Sequence, residues 1–174
     1  MLFVERHPLE DFAAGFSAVA GVNHLAVPVR PAIFAVLSDI SPALLDKVDF
    51  LPLSPGQWLA FSTELTLEAL FALLRQASGP EVAVIAKSDA YAVLRLTGPH
   101  SRRLLNSALA LDLHPDAFGA GQSACSLFHQ VPVVLLARGG DGFDLLVPRS
   151  FAAYVYEEIM AAGRVHGLTA GFLA

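Results

Sequence analysis

The run Glu81-Val82-Ala83-Val84-Ile85-Ala86-Lys87-Ser88-Asp89-Ala90-Tyr91-Ala92-Val93-Leu94-Arg95-Leu96-Thr97-Gly98-Pro99 decides how this chain reads. Glu81 to Ile85 is a short β-branched stretch, and Lys87-Ser88-Asp89 has the polarity of a turn. From Ala90 to Thr97 the side chains alternate. Ala92, Leu94 and Leu96 point one way, and Tyr91, Val93, Arg95 and Thr97 point the other, the period of two expected of a strand. Gly98-Pro99 stops that strand and opens a helix, because proline at the first helical position gives up no amide donor the helix needs. Leu104, Leu105, Ala108 and Leu109 form the apolar stripe of that helix, with Arg102, Arg103 and Asn106 expected to face water.

Downstream, Asp112-Leu113-His114-Pro115-Asp116 reads as a polar loop, and Gln122 to Phe128 and Val131 to Arg138 as strands. Gly139-Gly140-Asp141-Gly142 is a hairpin turn, since such turns require positive φ. Phe143 to Val147 completes the hairpin. Ser150 is the expected N-cap of a helix from Phe151 to Ala162 with Phe151, Tyr154, Val155 and Ile159 on one face, and Gly163 ends it. The tail from Gly167 to Ala174 has few anchors and is expected to fray.

Upstream the pattern is a blurred version of the same order. Leu2 to Val4 reads as a strand, Leu9 to Ala20 as a helix, and His24 to Val29 and Ala32 to Leu37 as strands. Asp39 to Leu53 is irregular, with a helical turn at Ser41-Pro42. Gln57 to Phe61 is a strand. Thr63 or Thr66 caps a helix to Ala77 with Leu67, Leu70, Phe71 and Leu74 buried. The fold class is therefore α+β: one domain over 1–174, with halves at about 1–78 and 79–165 and a tail at 166–174. The second half reads strand, strand, helix, three strands, helix, and the order helix, two strands, a third strand, helix occurs in both halves. Duplication of one small unit accounts for this, and chance alternation of elements is the rival explanation.

Charge is sparse. Asp, Glu, Lys and Arg make up 16% of the 174 residues and apolar types 55%, with a mean hydropathy of +0.56. An average soluble domain carries about 25% charge, so large apolar patches should reach the surface, and such patches usually mark interfaces. The net charge of −5 lacks the basic stripe that nucleic acid requires. The uncharged run from Phe12 to Val29 is broken by Gly15, Gly21, Asn23, His24 and Pro28, so it is no membrane span, and its acidic upstream flank is unlike a signal peptide. Cys125, the single cysteine, excludes an internal disulfide framework and a four-cysteine zinc site. A cytoplasmic location is expected.

The residues that could carry chemistry do not assemble into a motif. The only dense glycine cluster joins two strands, without the helix N-terminus that would hold a phosphate. Gly121-Gln122-Ser123-Ala124-Cys125 lacks the second glycine of a nucleophile elbow and enters a strand. Cys125 and His129 share a strand face but lie about 13 Å apart along it, and Cys125 is expected to be buried and inert. The six histidines lack zinc-motif spacing. Glu157 and Glu158 point about 100° apart on a helix and read as a solvated face. His114 can orient its loop or meet a partner. Arg149 can take a carboxylate, with Asp144 or a helix carbonyl equally able to satisfy it. Trp58 reads as a core or interface aromatic. No catalytic or metal residue is assigned, and no cofactor-binding residue is identified.

Four segments, in order, resemble one family. Ser54-Pro55-Gly56-Gln57-Trp58-Leu59 is similar to its "GPDEWL" strand, with Gln57 in place of the acidic residue. Ser88 to Pro99 resembles its "SD…LRLSGP" block, and Leu111-Asp112-Leu113-His114-Pro115-Asp116-Ala117-Phe118 its "LDLHPxxF" loop. Phe143-Asp144-Leu145-Leu146-Val147-Pro148-Arg149-Ser150-Phe151 resembles "FDLLVPRSF". The family is the gamma subunit of heterotetrameric sarcosine oxidase. The likeness covers roughly the last 120 residues, and the first 50 match poorly. Trp58, Asp112, His114 and Arg149 are the motif positions carried forward as partner-contact candidates.

The resemblance implies a fold like the N-terminal folate-binding part of glycine-cleavage aminomethyltransferases, two β2-α-β3-α units with exchanged first strands. It also implies an accessory, non-catalytic subunit whose partners are alpha, beta and delta chains. FAD, FMN, NAD and tetrahydrofolate are then expected on those partner chains and none on this one. A stand-alone tetrahydrofolate-binding or one-carbon transferase-like protein is the alternative. A soluble domain that forms a homodimer through the same apolar surface is the third reading.

Overall fold

Two sheets stacked face to face carry the chain, with helices on both outer faces. The computed structural model describes residues 6–38 and 45–173, so the expected strand at Leu2–Val4 and the turn at Ser41-Pro42 lie outside the described residues. The elements are β1 (His24–Pro28), β2 (Ala32–Leu37), β3 (Asp49–Ser54), β4 (Gln57–Ser62), α1 (Leu67–Ser78), β5 (Ala83–Ala86), β6 (Tyr91–Thr97), α2 (Ser101–Asn106), β7 (Ser123–Phe128), β8 (Val131–Arg138), β9 (Gly142–Pro148), α3 (Ala152–Gly163) and β10 (Thr169–Leu173). The six-stranded sheet runs β10-β1-β6-β9-β8-β7 and the four-stranded sheet β3-β4-β2-β5. All pairings are antiparallel except β1 with β10.

The alternation read in β6 explains the layering. Ala92, Leu94 and Leu96 enter the core under α2 and α3, together with Leu104, Leu105, Val155 and Ile159. Val93 enters the opposite core, between the sheets, with Ile33, Leu51, Leu59, Phe61, Val134, Leu136 and Leu146. A third core lies under α1, where Leu70 and Leu74 meet Phe34, Val36 and Ala60. A strand with both faces buried must be apolar on both, which is why β6, β8 and β9 read as near-continuous hydrophobic runs.

The exchange of first strands implied by the resemblance is present in the strand order. β1 leads into β2, β3 and β4, yet it pairs with β6 and β10 in the other sheet. β5 leads into β6 to β9, yet it edges the four-stranded sheet beside β2. This weave ties the sheets together through chain connectivity as well as packing.

Several local expectations are corrected. The expected helix at Leu9–Ala20 is only a 3₁₀ segment, Glu10–Gly15. The stretch thought irregular contains β3, with a bulge between Pro52 and Ser54. Thr66, not Thr63, caps α1, its hydroxyl accepting from the Ala69 amide. Leu67 and Phe71 on α1, expected to be buried, remain exposed. Ser150 does not cap α3; it lies in a 3₁₀ turn, Arg149–Phe151, and Phe151 precedes the helix. The tail expected to fray becomes β10, held by β1 and by the Thr169 amide on the Asn23 carbonyl.

Candidate functional site

Asp144 is the one fully buried acid among the described residues. It sits on β9 with the same parity as Leu146, so it points between the sheets. Arg95 on β6 grips both its oxygens, Nε to Oδ1 at 2.7 Å and Nη2 to Oδ2 at 3.0 Å. Arg138 on β8 adds Nε to Oδ2 at 2.8 Å and reaches Asp49 on β3 at 2.6 Å. Thr63 receives a further bond from Arg95 Nη2 at 3.3 Å. Burial works against the charge on Arg138, but Asp144 and Asp49 outweigh it and push its pKa up. Two cations and two anions balance, and every strong donor points inward. This is a charge-assisted clasp joining the two sheets at the rim of their shared core. A shallow pocket of about 390 Å³ opens over it, lined also by Lys47, Glu64 and Thr97.

A larger cavity of about 540 Å³ lies where the β1–β2 crossover, the start of α1 and the β5–β6 turn meet. Arg30, Thr66, Asp89, Tyr91 and Arg149 are among its lining residues. Ser88 is committed to the backbone, its hydroxyl accepting from the Ile33 amide. Burial raises the Tyr91 phenol pKa, with Cys125 adding to the shift, so this hydroxyl stays neutral.

The four motif candidates are not brought together. Arg149 lines the larger cavity and donates to the Arg6 carbonyl, and Asp144, one of the partners open to it from the sequence, belongs to Arg95 and Arg138. Trp58 is half-buried on β4 and donates from Nε1 to the Ser38 carbonyl at 3.2 Å. Asp112 and His114 are exposed: Asp112 Oδ1 accepts from the His114 amide at 2.9 Å, and His114 Nδ1 from the Asp116 amide at 3.3 Å. Both therefore shape their own loop. Arg102, expected to face water, is what pins that loop, donating to the Leu113 and Phe118 carbonyls and to Asp141.

Other candidates fall apart in the same way. Cys125 is exposed on the edge strand β7 rather than buried, although partial burial raises its pKa and keeps it a thiol. His129 stands in the β7–β8 turn at φ 52° and meets Glu158 at 3.6 Å. Among the described residues no three His, Cys, Asp or Glu side chains cluster to hold a metal, and no helix is long and apolar enough to cross a membrane. The residues sequence reasoning missed are Arg95, Arg138 and Asp144 as a set. One charge inside each of three apolar strands, on the inward parity, was the available signal.

The seam holding β10 is rich in histidine. His24 Nδ1 meets Thr169 Oγ1 at 2.8 Å, and the His100 and His166 rings stack at 4.1 Å around the buried Asn23. Burial lowers the pKa of His24, and burial, then His100 and Arg103, lower that of His166. Their folded pKa values lie below the ordinary 6.5, so the unfolded chain binds more protons between the two values. Stability is therefore complete above about pH 6.5 and declines as pH falls below it. Denaturation at pH 7.5 and 5.5 should show this loss, and His24→Gln should flatten it. An unchanged slope in that variant would remove His24 from the account.

The fold suggests a folate, and the residues present do not fit one. The donor edge of a pterin calls for an enclosed carboxylate. Among the described residues the one fully buried carboxylate, Asp144, has both oxygens taken by arginines. Glu64, Glu68 and Asp89 around the larger cavity are exposed. No folate cradle forms from the described residues of this chain.

Comparison with known proteins gives a consistent frame. Residues 20–174 match the family model described as GCVT N-terminal domain. The chain is 27% identical over 151 residues to sarcosine oxidase subunit gamma of Corynebacterium sp. (strain U-96), covering 86% of this chain and 69% of that one. It is 32% identical over 93 residues to mitochondrial dimethylglycine dehydrogenase of Mus musculus, covering 52% of this chain but only 11% of that much longer protein. A chain of the heterotetrameric sarcosine oxidase from Corynebacterium sp. U-96 superposes with a TM-score of 0.78 at 24% identity, covering 92% of this chain and 95% of that one. At that identity the last likeness speaks for the fold alone. With the stacked sheets, the exchanged first strands and the family match in agreement, the chain belongs to the GCVT N-terminal domain family.

Proposed function

We propose that this chain is an accessory subunit of a heterotetrameric sarcosine oxidase, the place occupied by the gamma subunits it resembles. The observation that carries the reading is the likeness to a gamma subunit over 86% of this chain. The structure's own features support it. The polar groups are spent on the Asp144 clasp and on loop geometry, and large apolar side chains stand exposed, among them Phe71, Ile85, Phe151 and Tyr154. Such a surface suits burial against a permanent partner, with an interface of about 2,000 Å² or more. In this reading FAD, FMN, NAD and tetrahydrofolate are held by the alpha, beta and delta chains, and this chain contributes shape.

Co-expression with candidate alpha, beta and delta chains tests the proposal. The expected result is a stoichiometric complex that survives gel filtration in high salt, because apolar burial is not screened by ions. Titration of tetrahydrofolate into the isolated chain should give no heat. Micromolar binding by the chain alone, with no complex recovered, would favour the stand-alone folate-binding alternative instead.

A further inference from the structure

We propose that the isolated chain forms a two-fold dimer by antiparallel pairing of β5 with β5 of a second copy. β5 is the outer strand of the four-stranded sheet, and its other edge is bonded to β2. The Lys87 amide donates to the Ile33 carbonyl at 2.8 Å. Lys87, Ile85 and Ala83 therefore turn their backbone groups toward β2, and Val82, Val84 and Ala86 turn theirs outward. Arg75 confirms the parity by donating to the Val82 carbonyl from outside the ladder, at 2.7 Å. The strand itself, Ala83-Val84-Ile85-Ala86, carries no charge, proline or bulge, the devices that normally keep an edge from pairing.

The occupant follows from the flanking charges. With Val84 opposite Val84 of the second copy, the outward-facing residues of the two strands pair with each other, as an antiparallel ladder requires. That register sets Ala83 opposite Ile85 and Glu81 opposite Lys87 of the other copy, twice by symmetry. Among the described residues neither Glu81 nor Lys87 has an ion-pair partner within the chain. The strand is thus charge-complementary to itself when inverted. Side chains extend the match. α1 lies over β2 and β5, with Leu67 and Ala86 together at the larger cavity and Arg75 reaching Val82. The stripe Leu67, Phe71, Arg75 consequently runs along the edge. Phe71, with 42% of its surface exposed, lies near the two-fold, where it would meet its counterpart. Ile85, 47% exposed, is covered from the other face. Pairing yields one continuous eight-stranded sheet, a closed isologous contact rather than a chain of copies.

The proposal does not rest on the sarcosine oxidase reading, since self-association of the isolated chain and recovery of partner subunits are separate readouts. Sedimentation velocity of the purified full chain over a concentration series should show a monomer–dimer equilibrium. Val84→Pro removes an outward amide that the β2 ladder does not use, so the variant should keep its circular dichroism and melt, and sediment as a monomer. Lys87→Glu or Glu81→Lys alone should weaken the dimer about tenfold, and the two together should restore it. If Val84→Pro unfolds the chain, the charge series decides alone. A wild-type monomer at every concentration, or a dimer indifferent to charge reversal, overturns the proposal. A double variant as weak as the single ones overturns the antiparallel register.

Discussion

Asp144→Asn should destabilise the fold by about 3–5 kcal/mol, the usual cost of removing one partner from a buried ion pair. The side chain has no solvent exposure, and its two oxygens collect three bonds from Arg95 and Arg138. Asparagine preserves the shape and removes the charge. Two guanidinium groups then converge on one amide, with Asp49 alone to balance them through Arg138. Neither arginine can relax by losing its proton. In a domain of this size the midpoint of thermal melting should fall by roughly 10 °C or more. Urea denaturation of the variant checks the number. A loss below about 1 kcal/mol would mean that water reaches the clasp and screens it. Replacing Asp144, Arg95 and Arg138 together by apolar residues should cost less than the single change, because no uncompensated charge is then left inside.

Gly98→Ala is the second large effect. Gly98 joins β6 to α2 at φ +117°, a conformation that side-chain-bearing residues rarely adopt. A Cβ there would lie 2.3 Å from the Val22 carbonyl oxygen and 2.7 Å from Asn23 Oδ1. Backbone strain and overpacking together cost about 3–5 kcal/mol. The displacement also has a direction. Asn23 Oδ1 accepts from the His100 amide and Nδ2 donates to the His166 carbonyl, so pushing Asn23 away loosens the seam that holds β10. Hydrogen exchange should show protection lost first at Thr169–Leu173. Gly79→Ala is the control: its φ is also positive, at +76°, but a Cβ there meets nothing within 4 Å. A Gly98→Ala protein as stable as the Gly79→Ala one would refute the steric account.

The two effects share a cause that bears on function. Both sites lie where chain segments distant in sequence are forced close, Asp144 between the sheets and Gly98 beside the 22–23 backbone. The geometry at Asp144 and at Gly98 therefore serves the fold. What is left for interaction is the exterior, where apolar side chains replace the missing charges.

Local sequence determined a good deal of this protein. Period-two alternation located β6, because Ala92, Leu94 and Leu96 serve one core and Val93 another, and that alternation is a property of neighbours along the chain. Gly140 and Asp141, at φ 67° and 58°, made the β8–β9 hairpin legible, since the turn needs those two backbone conformations and few residues supply them. The motif at Leu111 to Phe118 was visible, but its purpose was not. Its anchor is Arg102, and the bonds to Leu113 and Phe118 form only once α2 is docked.

Tertiary structure alone decided the rest. Thr169–Leu173 has no pattern of its own to mark a strand; it becomes one because the edge of β1 stands open beside it. Leu67 and Phe71 continue an apolar stripe that periodicity assigns to the core, yet α1 lies over the margin of its sheet, so the stripe outruns the surface available to cover it. Arg95, Arg138 and Asp144 are three unrelated charges along the chain and one clasp in space. Periodicity reports which way a side chain points, whereas what it meets there depends on strands brought together from far along the chain, 49 residues apart for Arg95 and Asp144 and 89 for Arg138 and Asp49, and that information resides in the packed fold.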